Sequence, residues 1–192
     1  MGVLEKEDER QNVLDILRKT RIALKTEDVV TLREVSSRTV HSASIYKDPD
    51  SVAIAVIVYA LSKIIERKKY TTYKEWLPFY KKIMLGIDKC IEDLEAKNLN
   101  VFRQDIKDIR VGIDSLSGRL KTYIQDVFRR AQINKASRLY EHGISASETA
   151  QLLGITQFEL AEYVGRTGIA DVDLSITMPI KNRLNFARSL FE

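Results

Sequence analysis

Between Trp76 and Val127 the apolar residues keep step. Trp76, Tyr80, Ile83, Ile87, Cys90 and Leu94 are spaced by 4, 3, 4, 3 and 4 residues. Ile106, Ile109, Ile113, Leu116, Leu120, Tyr123 and Val127 are spaced by 3, 4, 3, 4, 3 and 4. Alternating threes and fours gather side chains on one face of an α-helix, whereas a strand would scatter them over both faces. The segment Lys97-Asn98-Leu99-Asn100 between the seams is a turn candidate, so the pair predicts an antiparallel helical hairpin. Each seam is only about three heptads long, which suits packing within a bundle better than a free coiled coil. Gly112 and Gly118 interrupt the second seam, and each weakens a helix interior by up to about 1 kcal/mol, so a kink or break is expected there.

The rest of the chain carries the same helical signature. Residues 5–24 begin with Glu5, Glu7, Asp8 and Glu9, charges that suit a helix N-terminus, and Val13, Ile16, Leu17 and Ile22 form a stripe. A second helix is expected over 26–46, with Leu32, Val35, Thr39 and Ser42 on one side. Pro49 disfavours helix at Asp48, and Asp50 or Ser51 can cap a third helix over 51–68. That helix opens on the longest apolar run, Val52 to Leu61, which is shorter than the roughly 20 residues a bilayer crossing needs. It reads as the centre of a bundle. With only 8 Gly and 3 Pro, the chain lacks the turn residues a strand-rich fold uses. The expected fold is all-α: a helical bundle with a long hairpin over 1–130, then a helix-turn-helix and a C-terminal helix over 131–192. A helix running through 130–134 would join them without a flexible linker. Pro179 suits the first turn of that last helix, whose face would be Ile180, Leu184, Ala187 and Phe191.

After Gly143 the spacing tightens. Ser145 can cap a helix, with Glu148 three residues on as in a capping box. Ala150 falls where two helices cross and only a small side chain fits. Gly154, four residues later, supplies the left-handed turn that glycine adopts at little cost. Ile155 plugs the turn, Thr156 can cap the next helix, and Leu160 with Tyr163 or Val164 returns to the core. A preceding helix over about 119–142 completes a three-helix unit.

The stretch Ala150-Gln-Leu-Leu-Gly-Ile-Thr-Gln-Phe-Glu-Leu160 resembles the helix-turn-helix of DNA-binding regulators and small antitoxin-like proteins, which implies a prokaryotic, bacterial or archaeal, helix-turn-helix protein. Continued through Tyr163-Val-Gly-Arg-Thr-Gly168 to Ile169, it looks most like the antitoxin type that partners PIN-domain toxins. The resemblance covers about a sixth of the chain and assigns no activity to residues 1–118. It implies a non-enzymatic regulator that binds double-stranded DNA, as a homodimer for useful affinity, with an antitoxin-like module that docks a protein partner as the alternative.

In such a motif the exposed start of the second helix faces base edges. Here Thr156, Gln157, Phe158, Ala161 and Glu162 take those positions. Gln157 can pair with adenine, and Thr156 can touch a base or a phosphate. Residues 144–168 carry Arg166 against Glu148, Glu159 and Glu162, a net charge of −2. The helix before them holds Arg119, Lys121, Arg129, Arg130, Lys135 and Arg138 against Asp126 and Glu141, a net +4. The expected DNA-binding residues are therefore Lys135 and Arg138 for phosphates, Thr156 and Gln157 for bases, and Arg166 at the helix end.

Other chemistry finds little support. The overall charge of +4 permits a polyanionic partner without requiring one. The single cysteine, Cys90, excludes an internal disulfide, and with two histidines far apart in sequence no metal site, catalytic triad or cofactor is expected. Arg33, Arg38 and His41 share a helix, but their spacing does not fit the Arg-to-His spacing of HEPN-type ribonucleases, and small serines around them suit close packing. His142, just before Gly143, suits a helix end. Residues 66–82 mix cations with Tyr70, Tyr73 and Trp76, a composition that can stack RNA bases but equally begins the heptad seam. The charged start MGVLEKEDERQ lacks a signal peptide's apolar stretch, and Lys6 stands where a myristoylation signal prefers Ser or Thr, so a cytoplasmic location is expected.

Overall fold

The computed structural model describes residues 3–46, 48–114, 116 and 118–167. A short 3-10 turn, Val3–Glu5, leads into eight α-helices: α1 (Glu7–Lys25), α2 (Val29–Tyr46), α3 (Pro49–Arg67), α4 (Trp76–Glu95), α5 (Leu99–Asp114), α6 (Gly118–Glu141), α7 (Ala146–Leu153) and α8 (Gln157–Thr167). A second 3-10 turn, Lys69–Thr72, precedes α4. The fold is all-α, and among the described residues there is no strand. The expected C-terminal helix around 180–191 lies outside the described residues.

The bundle is organised around α3. Twelve of its 19 residues are buried, and it packs against α1, α2, α5, α6 and α7. That placement follows from a helix apolar nearly all round, which has no face to give to water. The helix starts two residues earlier than expected. Asp48, not Asp50 or Ser51, is the cap: its carboxylate accepts from the Ser51 amide at 2.9 Å and the Ser51 hydroxyl at 2.7 Å. Pro49 then occupies the first turn, where its missing N–H would have no partner anyway. α2 meets α3 through small residues: Ser36 is buried and donates to the Ala55 carbonyl at 2.8 Å.

The hairpin is present as α4 and α5, joined at Ala96–Asn98, with Ile83, Ile87, Cys90 and Leu94 facing Phe102, Ile106 and Ile109. The second seam does not continue as one helix. It ends with α5 at Asp114 and resumes at Gly118, whose φ of +63° is left-handed, so Leu120, Tyr123 and Val127 belong to α6. Glycine tolerates that backbone with little strain, which is why the break falls there. The Ile113 side chain is outside the described residues. Cys90 is buried, and burial, with Asp105 and Asp93 nearby, pushes its thiol up to about 12. Such a thiol is a poor nucleophile. None of the described helices is long and apolar enough to cross a membrane.

α6 runs unbroken through the expected boundary near 130, and the buried apolar residues from Leu4 to Val164 form one connected cluster. The C-terminal helices thus sit on the bundle core, with α7 against α3.

Candidate nucleic-acid interface

α6, α7 and α8 each pack against the other two. The chain turns away from α6 at Gly143 (φ +86°), and Ile144 donates back to the Leu139 carbonyl at 3.3 Å. Ser145 caps α7, accepting from the Glu148 amide at 3.2 Å. Ala150 and Leu153 are buried under the crossing. Gly154 closes α7 at φ +64°, and Ile155 drops into the core beside Leu160 and Val164. A Cβ on Gly154 would touch nothing within 4 Å, so its requirement is purely conformational.

Thr156 and Glu159 form a reciprocal capping box at the start of α8. The Thr156 hydroxyl accepts from the Glu159 amide at 3.1 Å, while the Glu159 carboxylate accepts from the Thr156 amide at 2.9 Å and its hydroxyl at 2.8 Å. Arg129 of α6 also pairs with Glu159. The Thr156 amide, Arg129 and the Thr156 hydroxyl together hold the Glu159 carboxyl down at about 2. One of the three acids in the net charge of this segment is therefore paired in place and fixes the start of α8. Gln132 of α6 supports the same turn, donating to the Leu153 carbonyl at 3.3 Å.

The five expected contact residues separate. Gln157 is exposed at the start of α8, followed by Phe158, which is 78% exposed. Thr156 is exposed, but its hydroxyl is committed to the cap. Arg138 is exposed on α6 and pairs with Glu141 at 2.9 Å. The side chain of Arg166 lies outside the described residues.

Lys135 does not belong to the set. It is 3% exposed, with its ammonium 4.3 Å from the centre of the Tyr59 ring on α3. Desolvation, and then the charge of Arg138, lower its pKa to about 8. Its position on α6 faces the bundle, and the ring face partly replaces lost hydration. Arg130, counted above among the cations of this helix, is exposed and pairs with Asp126 at 3.0 Å.

The aromatic stretch turns inward. Tyr70 is buried, stacks near Trp76 at 4.2 Å between ring centres and donates to Glu27 at 2.9 Å. Trp76 also packs near Phe79 and Tyr80, and Tyr80 donates to the Leu24 carbonyl at 3.1 Å. Tyr73 stacks on Tyr123. The two histidines, distant in sequence, meet edge to face: the rings of His41 and His142 are 5.6 Å apart, linking α2 to the end of α6. No sequence spacing could have paired them. Among the described residues no group of His, Cys, Asp and Glu could hold a metal ion.

No family model matches the chain, and neither a curated protein nor a solved structure matches it.

Proposed function

We propose that the α6–α7–α8 unit binds duplex DNA and that the protein acts as a non-enzymatic regulator. The observation that carries this reading is the start of α8. Thr156, Gln157, Phe158 and Ala161 are exposed there, while the Glu159 carboxylate that would oppose a phosphate is occupied by Arg129 and by the cap. Gln157 would read a base edge, and Phe158 would lie against a thymine methyl. Arg130 and Arg138 would take phosphates, and affinity would fall steeply with salt. The experiment is anisotropy with random-sequence duplex DNA and single-stranded RNA across a salt series. Salt-sensitive duplex binding supports the reading, and binding to neither at low salt overturns it.

A second reading is a protein-docking module of the antitoxin-like kind. It rests on Phe158, a large apolar side chain standing in solvent at the tip of α8. Under this reading Phe158→Ser abolishes capture of a stoichiometric partner and has no effect on DNA.

A further inference from the structure

A cavity of about 250 Å³ lies where α3, α5, α6 and α7 converge. Its walls are Val56, Ile57, Ile106, Phe128 and Leu152, an apolar lining drawn from all four helices. Its polar groups are arranged unevenly. Arg103, Lys107 and Arg110 line one side and follow one another at four- and three-residue steps along α5, so they share a face of that helix. Asp50 is the one carboxylate among the lining residues, and Arg103 holds it at 2.8 Å. Lys107 and Arg110 are exposed and form no ion pair with a described side chain. An apolar hollow with a few convergent polar groups is the usual form of a small-molecule site.

We propose that this cavity binds a small monocarboxylate with an apolar body, the carboxylate lying between Lys107 and Arg110 and the body against Ile106, Phe128 and Leu152. Charge complementarity selects the head. The guanidinium of Arg110 presents paired donors that match a carboxylate, and Lys107 adds a point charge. The walls at Ile106, Phe128 and Leu152 select the body, because those side chains offer it no hydrogen bonds, and the Gln132 amide that also lines the cavity is engaged by the Leu153 carbonyl. A phosphate would bring more charge beside Asp50 and leave the apolar walls unused. The volume selects the size, falling below the ~300–1,000 Å³ of drug-sized sites. The site goes beyond the DNA reading and does not depend on it: it stands if a carboxylate binds a protein that binds no nucleic acid.

The test is isothermal titration of the full chain with octanoate and with phenylacetate, alongside octylammonium and inorganic phosphate. Saturable binding of at least one carboxylate is expected, with no binding of octylammonium. The surface double variant Lys107→Gln, Arg110→Gln should weaken carboxylate binding at least tenfold, and Ala53→Leu, which narrows the cavity, should abolish it. Circular dichroism reports whether each variant remains helical. The proposal is overturned if neither carboxylate binds, if octylammonium binds as well as octanoate, if inorganic phosphate binds as tightly as either carboxylate, or if the folded double variant keeps wild-type affinity.

Discussion

Arg129 on α6 and Glu159 on α8 form an ion pair that fastens the second short helix to the long one. Glu159 simultaneously closes the capping box on Thr156, so one carboxylate fixes both the start of α8 and its seat on α6. Its folded pKa of about 2 lies below the ordinary 4.5. A carboxyl lowered in this way contributes stability above the unfolded value, and that contribution disappears as pH falls from 4.5 towards 2. Glu159→Gln should therefore lower stability at neutral pH and lose its melting temperature less steeply on acidification than the parent. Thermal melts followed by circular dichroism over that acid range measure both slopes. Parallel slopes would mean that the carboxylate is not held.

At Gly86, α4 lies tightly against α5. A Cβ there would stand 2.7 Å from Cγ1 of Ile109, a buried and β-branched side chain with little room to turn. Gly86→Ala gains up to about 1 kcal/mol of helix propensity but forces the helices apart, and overpacking typically costs about 1–3 kcal/mol. A net loss of up to about 2 kcal/mol is expected. Gly165 on α8 is the control: a Cβ there meets nothing within 4 Å, so Gly165→Ala should stabilise by about 0.5–1 kcal/mol. Urea titration of the two variants should show opposite signs. A stabilised Gly86→Ala would contradict the close approach.

The seams made the α4–α5 hairpin legible because a period of 3.5 has only one structural meaning at that length. The break at Gly118 was legible from the glycine and not from the period, since Leu116 and Leu120 keep the register whether or not the backbone between them is helical. The cap of α3 was misplaced because Asp48, Asp50 and Ser51 are all good capping residues, and only the geometry shows which oxygen reaches the Ser51 amide. The turn at Gly154 and the caps at Ser145 and Thr156 were readable because each is a local requirement. The burial of Lys135 was not legible, for the opposite reason. Its side of α6 is decided by Tyr59, 76 residues away, and charge type alone suggests surface. Nothing in the sequence pairs α5 with α7 around a cavity.

Lys135 also predicts a pH dependence. A lysine whose folded pKa is about 8 against an ordinary 10.5 is charged in both states below pH 8, and there the fold carries the full penalty of burying the charge. Between those two values the unfolded chain binds more protons, so stability rises with pH. Lys135→Met removes the penalty. It should stabilise the protein at neutral pH by about 1–3 kcal/mol and erase this part of the alkaline rise. Denaturant titrations at neutral pH and near pH 10 give the difference, which should shrink as pH rises. A variant less stable than the parent at both values would show that the contact with Tyr59 outweighs desolvation.

If α8 reads DNA, cations and reading residues must fail in different ways. Arg138 lies on the exposed side of α6, so Arg138→Gln should weaken binding to all duplexes alike and reduce the slope of log affinity against log salt by about 1. Gln157→Ala should leave that slope unchanged. Its loss belongs to preferred sites alone, about 1–3 kcal/mol of discrimination, because an amide reads a base edge and releases no counterion. Lys135→Gln should change neither quantity, since a side chain 3% exposed cannot reach a phosphate while the bundle stays packed. Anisotropy titrations of the three variants on one selected duplex and one random duplex separate these outcomes. A salt slope that falls with Lys135→Gln and not with Arg138→Gln would place the phosphate-facing side of α6 opposite to where the fold puts it.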